Sequence, residues 1–331
     1  MLHSSNFTGE SLCKWLRQEY NLKAETISVI PRGRACLFLA ACGEGKRYVV
    51  KEYQRGYDSR WVKQEPRLCA FLKERGVPAS EFILPKDGRA VHTYRGRLVT
   101  VQKYIEGEAP GLNSAAPRLM EASARLLGRL HEVLQAYPRM HEEFTHDWAD
   151  PAKLPPKRRE FEGLLAKAER LEDPRAERIA EDLRFKLEGL DWLAAQPNVT
   201  EGLTYVNTHG DCCVGQLLTR DNKIAAVVDF AGACRMPAVW EVIRSFSLGD
   251  PACAKGALPP ERLEAYTRVY EEQFPLTDTD RRGMSRLYAA QLLRSTFGYR
   301  QYFDPLTEGR EELLRFGFWR TEMLRTLMSG I

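Results

Sequence analysis

The chain has 331 residues, of which 44% are hydrophobic and 28% charged, and a formal net charge of +4. That length allows one large domain or two modest ones with a sizeable core, and the composition excludes a disordered or fibrous chain. So small a charge gives no reason to expect a nucleic acid or a membrane surface as partner.

In chain order, the first 25 or so residues suggest a short amphipathic helix, with Thr8 as N-cap and Leu12, Trp15 and Leu16 on one face. ETISVIP, ACLFLAA and RYVVKEY follow as short β-rich runs separated by PRGR and CGEGK, the pattern of an antiparallel meander. DSRWVKQEPRLCAFLKERGVP is charged and helical, ending at Gly76 with Pro78 beyond. GRAVHTYRGRLVTVQKYI reads as a hairpin turning at Arg95-Gly96.

From about residue 107 apolar residues recur at helical spacing, in LMEASARLLGRLHEVLQ and in five further segments down to GREELLRFGFWRTEMLRTLMS. One β island, NTHGDCCVGQLLTRDNKIAAVVDF at 207–230, interrupts them. The expected fold class is α+β and bilobal: a small β-rich lobe over residues 1–106 and a larger, mostly helical lobe over 107–331.

No stretch approaches the roughly 18–20 apolar residues of a membrane span. The first fifteen residues, MLHSSNFTGESLCKW, carry no basic segment followed by an apolar one, so no secretory signal is expected. Eight irregularly spaced cysteines without a CxxC pair suggest reduced thiols and a cytoplasmic location. Cys212 and Cys213 are adjacent, poor geometry for one zinc and strained for a disulfide.

Phosphoryl transfer needs a strand lysine on the phosphates, an acid to hold it, a carboxylate to receive or orient the hydroxyl proton, and oxygen ligands for Mg²⁺. The sequence offers these in a workable order. Lys51 ends the run RYVV, Glu65 lies on the next helix, Asp211 follows His209-Gly210, Gln216 comes five residues later, and Asp229 closes IAAVV.

These residues resemble the aminoglycoside phosphotransferase and choline kinase superfamily, small-molecule kinases with a protein-kinase-like fold. Its signature, His-Gly-Asp, four residues, Asn, then a hydrophobic strand ending in Asp, reads here HGDCCVGQ and VVDF. QKYIEG resembles the family's interlobe hinge, ARLLGRLHEV the helix with a Leu-His pair, and PAVWEVIRSF the segment after the metal aspartate. The resemblance implies that Asp211 is the catalytic base, Asp229 the main Mg²⁺ ligand, Lys51 the phosphate contact and Glu65 its partner. It also implies that His209 braces the catalytic loop, that the backbone of Lys103, Tyr104 and Ile105 bonds the purine of ATP or GTP, and that Gly33 lies in the loop above the phosphates.

Three departures stand out. Gln216 replaces the usual Asn, and its extra methylene moves the amide oxygen by about 1.5 Å, while Mg²⁺ demands near-octahedral geometry at about 2.0–2.1 Å. Pro66 directly follows Glu65, which predicts a helix beginning at Pro66 with Glu65 as its cap. The phosphate loop PRGR has one glycine and two arginines, and Arg32 or Arg34 is a further phosphate contact or a solvated turn residue.

Gly210 stands where protein kinases carry the Arg that reads a phosphorylated activation loop, which favours a small substrate. The expected acceptor is a hydroxyl on a sugar, amino alcohol, amino acid or aminoglycoside-like compound. Arg300, in the aromatic stretch STFGYRQYFDP, is a carboxylate-binding candidate, although helix–helix core is the favoured reading of those aromatics. His131 reads as a core or cap histidine, and Glu241 as a structural helix-cap partner. The alternative functions are a catalytically weak pseudokinase or spore-coat-type binding protein, and a Ser/Thr protein kinase-like enzyme.

Overall fold

The structure, a computed structural model, describes residues 4–31, 35–141, 150–196 and 198–330. Gly33, Arg32 and Arg34 lie outside the described residues. The chain divides into two compact units, each built here on its own terms. One comprises residues 2–109 together with 216–233, the other residues 110–215 with 234–331.

The first unit opens on helix α1 (Gly9–Tyr20), where the Thr8 hydroxyl accepts from the Ser11 N–H in a capping box and Asn21 closes the C-terminus in a left-handed conformation. Strands β1 (Ala24–Ile30), β2 (Cys36–Cys42), β3 (Arg47–Glu52), β4 (His92–Tyr94) and β5 (Arg97–Lys103) form one antiparallel sheet in the order β1-β2-β3-β5-β4. The apolar face of α1 packs on it: Leu12, Trp15 and Leu16 join Phe38, Val50, Val99 and Val101 in one buried cluster. Arg95 and Gly96 both take positive φ, as the β4–β5 hairpin turn requires.

Helix α2 runs from Ser59 to Glu74 with Pro66 inside it, so the expected start at Pro66 is corrected. Asp58, not Glu65, is the N-cap, and its carboxylate accepts from the Arg60 N–H. Proline removes one helical hydrogen bond and crowds the carbonyl four residues back. The buried stripe Val62, Glu65, Leu68, Cys69 and Leu72 spans the proline on both sides, and packing of that stripe overrides the local preference.

Residues 216–233 join this unit through hydrogen bonds. Strands Leu217–Arg220 and Lys223–Val227 make a hairpin whose two turn residues, Asp221 and Asn222, both have positive φ. Glu108 and Thr219 exchange backbone bonds at 2.9 and 2.8 Å, and the Val227 N–H reaches the Pro78 carbonyl at 2.7 Å.

The second unit is helical: α3 (Pro117–Leu134), α4 (Leu154–Ala168), α5 (Ala176–Ala194), α6 (Ala238–Gly249), α7 (Pro260–Glu271), α8 (Asp278–Leu293), the single turn α9 (Tyr299–Tyr302) and α10 (Arg310–Ser329). Strands Tyr205–Asn207 and Arg235–Pro237 pair antiparallel beside them. One core cluster gathers Phe161 and Leu164 of α4, Ile179, Leu183 and Leu190 of α5, Tyr299 and Tyr302 of α9, and Leu314 and Phe318 of α10. The aromatic stretch is therefore helix–helix core. Arg300 is exposed, 3.9 Å from Glu160. Gly128 lets α3 approach α7 closely, because a Cβ there would strike the Tyr270 carbonyl oxygen.

Candidate active site

In the first unit Lys51 projects from β3 into a buried polar cluster. Its Nζ lies 2.6 Å from Asp229 Oδ1 and 3.5 Å from Glu65 Oε2. The period-2 alternation of a strand sends Glu52 to the other face. There Glu52 accepts from the Asn6 N–H at 3.0 Å and faces Arg97 Nη1 at 3.4 Å. Tyr53 donates its hydroxyl to Glu65 Oε2, while Glu65 Oε1 is buried with no hydrogen-bond partner among the described residues. Burial alone would pull the Lys51 ammonium down. Glu65, Tyr53 and Asp229 more than offset it and hold the pKa well above the ordinary lysine value.

Asp229 sits at φ 67°, ψ 56°, a left-handed conformation that few non-glycine residues adopt and that is costly enough to need support from its surroundings. The hairpin supplies that support: the Val228 N–H donates to the Gln216 carbonyl at 2.9 Å, which brings positions 216 and 229 together at the hairpin base. The Gln216 side-chain amide makes no hydrogen bond among the described residues. No cluster of three or more His, Cys, Asp or Glu that could hold a metal occurs among the described residues. An Asp and a Gln nonetheless suit Mg²⁺, a hard cation usually bound by one or two protein oxygens with waters and phosphates completing its shell.

The hinge-like backbone is partly committed. The Lys103 N–H donates to Glu81 O at 2.8 Å and the Tyr104 N–H to Arg47 O at 2.9 Å. Of the three N–H groups from Lys103 to Ile105, only that of Ile105 has no partner among the described residues. Pairing with β3 and with residue 81 uses the other two, so a purine can draw on fewer donors here than the sequence suggested.

In the second unit Asp211 follows the turn made by Gly210, at φ 79°. The loop hangs on Glu241 in the first turn of α6, a carboxylate with no solvent exposure. Its oxygens accept from the His209 N–H at 3.1 Å, the Cys212 N–H at 3.0 Å and His131 Nε2 at 2.9 Å. Burial opposes the ionised form of Glu241, but His131 and these donors hold its pKa below the usual carboxylate range. His131 is fully buried, with Tyr270 Oη 2.7 Å from its Nδ1, and is a core histidine. Fully buried His209 receives the Asp211 N–H on Nδ1 at 3.3 Å.

Arg244, one turn beyond Trp240 on α6, was missed by sequence reasoning. Its Nε lies 3.1 Å from Asp211 Oδ1, and Nη2 bonds to the same oxygen. The signal was present in WEVIRSF: Glu241 and Arg244, three apart on a helix, share a face, so an Arg anchored beside the loop acid was foreseeable.

No disulfide links any of the eight cysteines. Cys212 is buried, and burial followed by the nearby Glu241 pushes its thiol pKa well above the ordinary value, which leaves it inert. No helix among the described residues is long and apolar enough to cross a membrane.

The antiparallel sheet with its strand lysine and the helical unit with its His-Gly-Asp loop are those of the protein-kinase-like phosphotransferase class. Residues 37–284, about three quarters of the sequence, match the sequence model of the phosphotransferase enzyme family, and the chain belongs to that family. No curated protein sequence matches. Among solved structures, the chain is similar to a microcompartment-associated aminopropanol kinase (15% identity, 96% of each chain covered, TM-score 0.63). It is also similar to the amicoumacin kinase hAmiN in complex with AMP-PNP, Ca²⁺ and amicoumacin (14% identity, 96% of this chain and 94% of that one, TM-score 0.60). A third likeness is to an aminoglycoside phosphotransferase from Alicyclobacillus acidocaldarius (14% identity, 99% and 97% covered, TM-score 0.60). At these identities the likeness is one of fold.

Proposed function

We propose that the chain moves the γ-phosphate of ATP or GTP to a hydroxyl of a small molecule, with Asp211 receiving or orienting the hydroxyl proton and Lys51 contacting the nucleotide phosphates. The observation that carries this reading is Lys51, buried and kept charged between Glu65 and Asp229. A lysine taken out of water, paired with two carboxylates and left beside a strained Asp is an arrangement that stability alone does not favour. Solved neighbours of the same fold are crystallised with AMP-PNP or ADP, which supports a nucleotide as donor.

In this reading Asp229 and Gln216 hold Mg²⁺, which when bound neutralises charge on the transferred phosphate. His209 and Glu241 fix the loop so that Asp211 does not have to be ordered at the moment of reaction. The N-terminal sheet is the nucleotide-binding part and the helical unit carries the acceptor. A small acceptor is favoured over a protein one because α6 opens at Ala238, nine residues after Asp229, leaving little length for an activation loop. The retained Lys51, Asp211 and Asp229 argue against a pseudokinase. Eight cysteines without a disulfide suit a cytoplasmic enzyme.

The test is thermal unfolding with ATP or GTP, with and without Mg²⁺. A nucleotide at a hundred times its Kd adds about 2.7 kcal/mol to the folded state and raises Tm accordingly. An unchanged Tm with either nucleotide, with or without metal, contradicts the proposal.

A further inference from the structure

The Nε/Nη2 edge of Arg244 closes on one oxygen of Asp211, Oδ1, and Oδ2 has no hydrogen-bond partner among the described residues. That bonding alone marks nothing. The same edge meets a single oxygen at Arg262–Asp250, Arg281–Glu271 and Arg125–Glu272. What sets Arg244–Asp211 apart is which partner faces water. In the other three pairs the arginine side chain is 50%, 52% and 43% exposed. Two of their acids are withdrawn and also serve the backbone: Asp250 Oδ1 accepts from the Ala252 N–H and Glu271 Oε1 from the Leu276 N–H. At Arg244–Asp211 the order is reversed, with the arginine 18% exposed and the acid 44%. Among the arginine and lysine ion pairs of the described residues, one other sets a buried cation against so exposed an acid: Lys51, at 8%, with Asp229, at 44%.

An acid in contact with water needs no buried partner. Such a pair adds little to stability, while withdrawing a guanidinium from water is costly. Burial pulls against the Arg244 charge, and Asp211 more than offsets it, helped by Cys213 and Tyr288 nearby. The Trp240 ring, one turn earlier on α6, stands 5.4 Å from Arg244 Cζ and helps to seat the guanidinium. A seated cation fixes an otherwise mobile acid. The Asp211 backbone is tied by its N–H to His209 Nδ1, but a side chain so exposed is free to rotate unless something holds it. With Oδ1 bound by two donors of one rigid plane, a single carboxylate orientation is favoured, and Oδ2 is the oxygen left to accept a proton.

We infer that Arg244 is a positioning residue: it holds Asp211 by Oδ1 so that Oδ2 stands ready, before any substrate arrives, as the oxygen that takes the proton of the acceptor hydroxyl. The inference rests on the phosphotransferase reading above. In the transfer the acceptor oxygen bonds to the γ-phosphorus, the bond to the departing nucleoside diphosphate breaks, and the hydroxyl proton passes to Asp211 Oδ2. Arg244 acts through Asp211 and touches none of the reacting atoms.

The experiment follows ADP formation from ATP and Mg²⁺ by the full chain, with water, glycerol, 1-aminopropan-2-ol and kanamycin as acceptors. Rates are expressed per nucleotide-binding site, so that a loss of folded protein does not register as a loss of turnover. In Arg244→Met, kcat is expected to fall by about 10–100-fold, the scale of a misoriented catalytic group. The KM for ATP and for any organic acceptor turned over is expected to hold within about threefold, since what is lost serves the transition state alone. Arg244→Lys, which keeps the charge but not the two-donor edge, is expected to fall between Arg244→Met and wild type. The unliganded Tm of Arg244→Met is expected to stay close to wild type, because Asp211 remains solvated. A merely structural arginine gives the opposite pattern, a lowered Tm with kcat per site unchanged, and that result overturns the inference. A KM that rises while kcat holds overturns it too. Should Arg244→Met fail to fold, Arg244→Lys decides: a kcat equal to wild type overturns the inference, and a lower kcat with KM held supports it. In all these cases turnover by the wild-type chain leaves the kinase reading standing. No ADP from wild type with any acceptor, and no rise in Tm with nucleotide, defeats that reading and the inference with it.

Discussion

Glu241 accepts from a histidine ring and two backbone N–H groups while shut away from water. A buried carboxylate is stable only when its oxygens are satisfied, and removing it strands the donors that faced it. Glu241→Ala is accordingly expected to lower unfolding free energy by roughly 3–5 kcal/mol, the cost of breaking a buried charged network. A denaturant midpoint equal to wild type would show that the loop does not hang on this residue. At this scale the places of Lys51 and Asp229 at strand ends and of Asp211 after His-Gly were legible in the sequence. It was uninformative about what each one touches. That the Lys103 and Tyr104 N–H groups are spent on Glu81 and Arg47, or that Arg244 meets Asp211, depends on register between segments far apart in the chain.

Elements carry their own tests. Helix α2 passes through Pro66 against its local preference, so Pro66→Ala restores a missing N–H to the Val62 carbonyl and is expected to stabilise by about 1–3 kcal/mol in urea unfolding. A destabilised variant would mean that the proline's shape is itself part of the packing. Helix α8 ends on Lys186 of α5, whose buried Nζ donates to Leu292 O at 2.9 Å and Ser295 O at 3.1 Å. Burial, reinforced by Arg320 and opposed by Asp182, brings its pKa down to about 7. A lysine depressed in the folded state binds fewer protons there than in the unfolded chain between about pH 7 and its ordinary value. Its contribution to stability therefore rises with pH across that window, and the cost of charging it is felt in full below pH 7. The measurement is the difference in Tm between wild type and Lys186→Met from pH 6 to 9, expected to move in favour of wild type as pH rises. A flat difference contradicts the shift. Elements were the most legible level: the Thr8 cap, the Arg95-Gly96 turn and the helical spacings were plain, while α2 was mistaken because helix continuity there is decided by a buried stripe.

For the whole molecule, the order β meander, α2, hairpin, helices, His-Gly-Asp and strand-terminal Asp was readable from end to end. What the order did not reveal is that residues 216–233 cluster with the N-terminal sheet, since that depends on backbone bonds from Pro78 and Glu108 to a hairpin more than a hundred residues away. The catalytic assignments therefore draw on both units, Lys51, Asp229 and Gln216 from one, Asp211 from the other. The account's central claim is that Asp211 serves the acceptor and Lys51 the nucleotide. Asp211→Asn tests it most directly, with transfer to a hydroxyl acceptor followed by ³¹P NMR and nucleotide binding followed by Tm. The expected result is transfer reduced by at least 10²–10⁴-fold, the scale of a lost general base, with the nucleotide-dependent rise in Tm kept. Turnover persisting in that variant would contradict the account.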